Sequence, residues 1–166
     1  MPVLVDGNNL LYAAREIDDP DRVPGRAMLC SLLGQWAKRR SQTVHVVFDG
    51  PKPDGGFAEQ IKSENVEVTF SAARSADDVL IELLAANSAP RLLIVVSSDR
   101  EVRRAASRCR AVATMSDAFW HDVRRDLRRP EQEVREPNAR NRALSAEESA
   151  EWMEEFGFDT DAEDSD

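Results

Sequence analysis

Five aspartates stand where the chain could do metal or acid–base chemistry: Asp6, Asp49, Asp77, Asp78 and Asp99. Asp6 closes the apolar run Pro2-Val3-Leu4-Val5, and Asp49 closes Val44-His45-Val46-Val47-Phe48. Asp99 follows Leu92-Leu93-Ile94-Val95-Val96 and the pair Ser97-Ser98, while Asp77 and Asp78 open a helical pattern after Val66–Phe70. If the apolar runs are parallel strands, these acids share the carboxyl rim of the sheet, where open α/β folds bind ligands. Carboxylates crowded together repel, and their pKa values rise unless a cation neutralises them. Oxygen ligands without Cys or His favour a hard ion, Mg²⁺ or Mn²⁺. Such an ion activates water and stabilises phosphoryl oxygens, so the implied reaction is phosphodiester hydrolysis. Each acid also has a structural alternative. Asp78 fits a capping box with Ser75, Asp77 suits a helix dipole, and Asp99 lies within a second box, Ser98 to Glu101. Asp49 before Gly50-Pro51 could stabilise a turn. Asp18, Asp19, Asp21 and Asp54 read as solvated loop residues.

The elements that must position these acids alternate. Short apolar runs at 2–6, 44–49, 66–70, 92–96 and 111–114 read as strands, with 66–70 at an edge and 92–96 central because it is the most apolar. Helical spacing runs over 10–17 and 26–40, from Ser75 with an apolar face of Val79, Leu80, Leu83 and Leu84, and over 98–108 and 117–129, with a further helix at 57–64. Pro20, Pro24, Pro90 and the Gly50–Gly56 stretch break the pattern. Alternation of this kind predicts an α/β fold, three layers α/β/α, around a mainly parallel sheet of about five strands with right-handed crossovers.

Composition narrows the class. The chain has 166 residues, of which 42% are hydrophobic. That length suits one domain with an extension. No apolar run approaches the ~20 residues a membrane span needs, and the N-terminus lacks the pattern of a signal peptide, so a cytoplasmic protein is expected. Cys30 and Cys109 lie far apart without metal-ligand spacing and read as ordinary thiols. The net charge of −9 is unevenly spread: residues 130–166 carry −10, and residues 1–129 carry +1. The expected division is therefore a domain over 1–129 and an acidic tail over 130–166. Within the tail, Trp152, Met153 and Phe156 give 145–156 the pattern of a short amphipathic helix. That helix could dock on the domain itself or on a protein partner.

The basic residues are nearly all arginine, 19 Arg against 3 Lys, and arginine suits bidentate phosphate contacts. Arg100, Arg104 and Arg108 share one helical face, and Arg124 belongs to a second basic face. Both are candidate nucleic-acid surfaces, with solvated helix faces as the alternative. Phe48, Phe119 and Trp120 read as core, and His45 and His121 as structural.

Four motifs occur in order: Val-Asp-Gly-Asn-Asn-Leu-Leu (Val5–Leu11), Val-Phe-Asp-Gly (Val47–Gly50), Ser-Ala-Asp-Asp-Val-Leu (Ser75–Leu80) and Ser-Ser-Asp-Arg-Glu-Val (Ser97–Val102). Together they resemble the NYN branch of PIN-like nucleases, especially the YacP-like family, over about residues 2–128. The resemblance implies a PIN-like domain and a metal-dependent ribonuclease. Asp6, Asp77 and Asp99 would be the principal ligands of Mg²⁺ or Mn²⁺, with Asp49 and Asp78 as further candidates. Asn9 and Ser98 would position water or phosphate. Competing readings are an RNA-binding module of the same fold that does not cut, and a structure-specific DNA nuclease. A dinucleotide enzyme is disfavoured, because Gly7-Asn8-Asn9 supplies one glycine where that turn needs several.

Overall fold

A computed structural model describes residues 1–19, 23–53, 56 and 64–130. The expected helix at 57–64 and everything expected of residues 131–166 lie outside the described residues. In chain order the elements are β1 (Val3–Asp6), α1 (Gly7–Ile17), α2 (Arg26–Arg40), β2 (Val44–Phe48), β3 (Val66–Phe70), α3 (Ala76–Ala86), β4 (Ile94–Val96), α4 (Arg100–Arg108), β5 (Val112–Thr114) and α5 (Ser116–Arg128).

The strands form one sheet in the order β3-β2-β1-β4-β5, and every pairing is parallel. Side chains alternate across it. Val3 and Val5 of β1, with Val44, Val46, Phe48 and Val96, meet α1, α2 and α5 on one face. Leu4, Val47 and Val95 meet α3 and α4 on the other. This is the three-layer α/β/α arrangement. β4, expected to be central, is an interior strand paired on both sides, and β1 is the middle one of the five. Both are buried on two faces, so apolar content cannot rank them. The chain reaches β4 by crossing over β2 and β1. Connections from β1 and β4 then leave towards opposite faces, which opens a crevice at their carboxyl ends.

Two glycines set the rim. A Cβ on Gly7 would lie 2.4 Å from the Phe48 ring and 2.9 Å from Val46. The missing side chain therefore lets α1 start hard against β2. Gly50 has φ +92°, a conformation that side-chain-bearing residues rarely adopt. It turns the chain sharply after Asp49, and its N–H donates to Ser71 Oγ at 3.1 Å.

Leu92, expected to begin the fourth strand, instead ends a short 3₁₀ turn over Pro90–Leu92, so β4 is shorter than expected. Asp18, expected to be solvated, has a side chain only 4% exposed. It accepts from the Trp120 indole at 3.2 Å and faces Arg124 Nε at 3.3 Å, close enough for an ion pair but not aligned as a hydrogen bond. It thereby ties the end of α1 to α5. Burial pushes the Cys30 thiol up to about 12, so it is inert as a nucleophile. Cys30 and Cys109 are both free. No helix among the described residues is long and apolar enough to cross a membrane.

Candidate active site

Asp6 ends β1 buried, 2% exposed. Its Oδ1 accepts the Asn9 backbone N–H at 3.0 Å, which caps α1. Its Oδ2 accepts from the Asn9 side-chain amide and from Ser97 Oγ, the latter at 3.1 Å. Ser97 directly follows β4 and is fully buried. The same hydroxyl accepts the Asp99 N–H at 3.0 Å, and the Asn9 amide lies 3.4 Å from it. One serine thus joins the ends of β1 and β4 to the start of α4. Asp99 caps α4: its Oδ1 accepts from Glu101 N at 2.6 Å and Val102 N at 3.2 Å. The second Asp99 oxygen takes part in neither bond.

Asp49 stands at the end of β2. Its Oδ1 accepts the Ala76 N–H at 2.7 Å, which fastens the start of α3, and its Oδ2 accepts from Asn8 Nδ2 at 2.8 Å. Arg26 donates to the Asp49 carbonyl at 3.3 Å. Its guanidinium lies 5.1 Å from the Phe48 ring centroid and 5.9 Å from that of Phe70.

Asp77, half-buried in the first turn of α3, completes the group. Its carboxyl is pushed up to about 6, first by burial and then by the charges of Asp6, Asp99, Asp49 and Asp78. Ser75 accepts the Asp78 N–H at 3.1 Å, and Asp78 is exposed. Among the described residues, none of these five acids forms an ion pair with a basic side chain. As the side chains lie, no three acids, histidines or cysteines among the described residues are disposed to hold one ion.

A model of the YacP-like NYN domain matches residues 3–157. The chain belongs to this family. The YacP-like NYN domain is a PIN-like nuclease domain. Of solved structures, the Bacillus subtilis protein Rae1 (YacP) is similar at 24% identity, with a TM-score of 0.63 over 95% of this chain and 92% of that one. A second structure, of a Trp-to-Leu mutant of the same Bacillus subtilis protein, is similar at 21% identity, with a TM-score of 0.57 over 77% of each chain. No curated protein matches.

In this NYN domain, Asp6, Asn9, Asp49, Asp77 and Asp99 all reach the carboxyl rim, and Asp78 lies beside them facing outward. Ser98 is exposed, and its Oγ accepts the Ser116 N–H at 3.4 Å. It is not the cap of α4, which is Asp99. Ser97 opens the motif Ser97–Val102, but nothing in the sequence marks it as a partner of Asp6. The pairing of Val5 with Val96 places it beside Asp6, but that requires knowing that β4 lies next to β1. Asn8 and Arg26 were also missed, since the acid that each one touches is distant in sequence. Arg100, Arg104 and Arg108 are exposed along α4, whose buried side carries Val102 and Ala105. Arg124 is half-buried against Asp18, with its guanidinium 5.9 Å from the Trp120 ring centroid. His45 lies low on β2, its Nε2 2.8 Å from Thr69 Oγ1, and burial lowers its pKa.

Proposed function

We propose that this rim hydrolyses phosphodiester bonds in RNA with the help of Mg²⁺ or Mn²⁺. One observation carries the reading: acids from four separate points of the chain converge without a basic partner among the described residues, and Asp77 feels the charges of Asp6, Asp49, Asp78 and Asp99 together. Uncompensated carboxylates at a topological switch point are a donor set for a hard cation. Asp6, Asp77 and Asp99 would hold the ion, with Asp49 and Asp78 as further donors. When bound, such an ion neutralises the scissile phosphate and lowers the pKa of the attacking water. The chain's own residues do the positioning. Asn9 and Ser97 fix the Asp6 carboxylate, and Ser97 also holds the turn that presents Asp99. Ser98, exposed at the same turn, is within the region where substrate phosphate would lie. Arg100, Arg104 and Arg108 form the RNA-facing surface, and contact there would make binding salt-dependent. Arg124, already committed to Asp18, contributes to that surface only by leaving its pairing.

A second reading is an RNA-binding domain that does not cut. It is favoured by the lack, among the described residues, of three acids already disposed around one point. Incubating the protein with labelled single-stranded RNA under Mg²⁺, Mn²⁺ or chelator separates the two. Cleavage that stops with chelator supports the proposal. Retained RNA with no cleavage under either ion supports the binding domain.

A further inference from the structure

Beside the rim, on the outer side of α1, lies a cavity of about 280 Å³. Pockets for small ligands run from roughly 300 to 1,000 Å³, and this one lies just under that range, small enough for one base and too small for a larger ligand. Asn8, Tyr12 and Arg15 of α1 line one wall, and Pro24, Gly25 and Arg26 line the other. Spacings of four and three residues put Asn8, Tyr12 and Arg15 on one helical face.

Two of these residues also touch Asp49 of the rim. Asn8 donates to the Asp49 side chain at 2.8 Å, and Arg26 donates to the Asp49 carbonyl at 3.3 Å. The cavity therefore borders the rim at Asp49. Tyr12 is 64% exposed, the most exposed of the large apolar side chains in the described structure. Its neighbours Leu11, Ala13 and Ala14 are buried, so α1 packs its own face and leaves the phenol ring outside. Arg15 has no ion-pair partner among the described residues. Arg26 is held against the Phe48 and Phe70 rings, which fixes its charge in place.

An exposed aromatic between two arginines is the chemistry that binds single-stranded nucleic acid: the ring stacks on a base, and the guanidinium groups meet phosphate. We infer that this cavity is a nucleotide subsite, in which Tyr12 stacks on an unpaired RNA base next to the cleaved phosphate while Arg15 and Arg26 hold the backbone. The inference rests on the proposed RNA substrate. It extends the RNA path to the α1 side of the rim, away from the α4 arginines. It also predicts a preference for unpaired RNA, because a base within a duplex cannot present its face to Tyr12.

The test uses the full chain in chelator, so that binding is read without cleavage. The probes are a short fluorescein-labelled single-stranded RNA and a set of the same RNA lacking one base at each position in turn. Wild type should lose affinity when one particular base is missing. Tyr12→Ala should bind the intact RNA roughly ten-fold more weakly and lose that positional sensitivity, and Tyr12→Phe should keep both. Arg15→Ala should flatten the salt slope by about one. Tyr12→Ala that matches wild type on every probe overturns the subsite, even if the protein cuts RNA. Tyr12-dependent binding by a protein that cuts no RNA upholds the subsite and overturns the nuclease reading. Failure of wild type to bind any probe overturns the subsite, and cleavage of the same RNA under Mg²⁺ or Mn²⁺ then decides the nuclease reading by itself.

Discussion

The Ser97 hydroxyl donates to Asp6, accepts from the Asp99 backbone and lies within reach of the Asn9 amide. Its neighbour Ser98 receives one long bond from Ser116. The two side chains should therefore respond differently to removal. Ser97→Ala frees Asp6 and slackens the Asp99 turn, and partners that orient ligand groups typically cost roughly 10–100-fold when lost. Steady-state cleavage by Ser97→Ala should fall by about that factor, with Ser98→Ala closer to wild type. Asp77 gives a pH signature. Its folded pKa is raised from 3.8 to about 6, so between those values the native state binds more protons than the unfolded chain. Stability without metal should fall as pH rises through that window. Asp77→Asn should accordingly raise the thermal midpoint at about pH 7 in chelator, with the gain fading towards about pH 4. A gain that stays constant with pH, or a loss at neutral pH, would contradict the electrostatic account. Which acids reach the rim was legible at this scale, because each ends an apolar run or opens a helix. The residues that hold them were not: Ser97 and Asn8 act through neighbours 91 and 41 positions away.

At the scale of elements, α1 sits where it does because Gly7 has no side chain. Gly7→Ala would drive a methyl group into the Phe48 ring, which is itself stacked on Phe70 and capped by Arg26. Overpacking of this kind costs about 1–3 kcal/mol. Urea unfolding should show a lowered midpoint, and cleavage should drop too, because Asp6 is the cap of the same helix. An unchanged midpoint would mean that α1 can shift without consequence. A second clamp holds the other end of that layer. Asp126 of α5 accepts from the Trp36 indole at 3.2 Å and pairs with Arg40 of α2. Burial acts to raise its pKa, but the Arg40 and Trp36 hydrogen bonds and the Arg40 charge outweigh this and lower it. Periodicity located these helices well: α2 spans 26–40 as expected, and Ser75 caps α3. It failed on the buried Asp18 and on the start of α4. A short polar side chain at a helix end gives the same pattern whether it meets solvent or an indole.

For the whole molecule, alternation of strand and helix was enough to anticipate a parallel sheet, but not its order. The placement of β4 beside β1 comes from one long crossover, and local sequence carries no mark of it. That crossover creates the crevice where Asp6 and Asp99 meet. Charge also acts at this scale, since residues 1–129 carry +1 and residues 130–166 carry −10. A chain ending at Arg129 should bind RNA more tightly than the full chain at low ionic strength, with the difference shrinking as salt rises. Equal affinity throughout a salt series would remove any electrostatic role for residues 130–166. The central claim is that the carboxylate rim cuts RNA. Asp99→Asn tests it most directly, because Asn caps a helix as well as Asp does while the charge is lost. The measurement is cleavage of a labelled single-stranded RNA in Mg²⁺ or Mn²⁺ by wild type and by Asp99→Asn of matching circular dichroism. The expected result is a loss of at least about 10²-fold. Equal cleavage by a folded Asp99→Asn protein would contradict the claim.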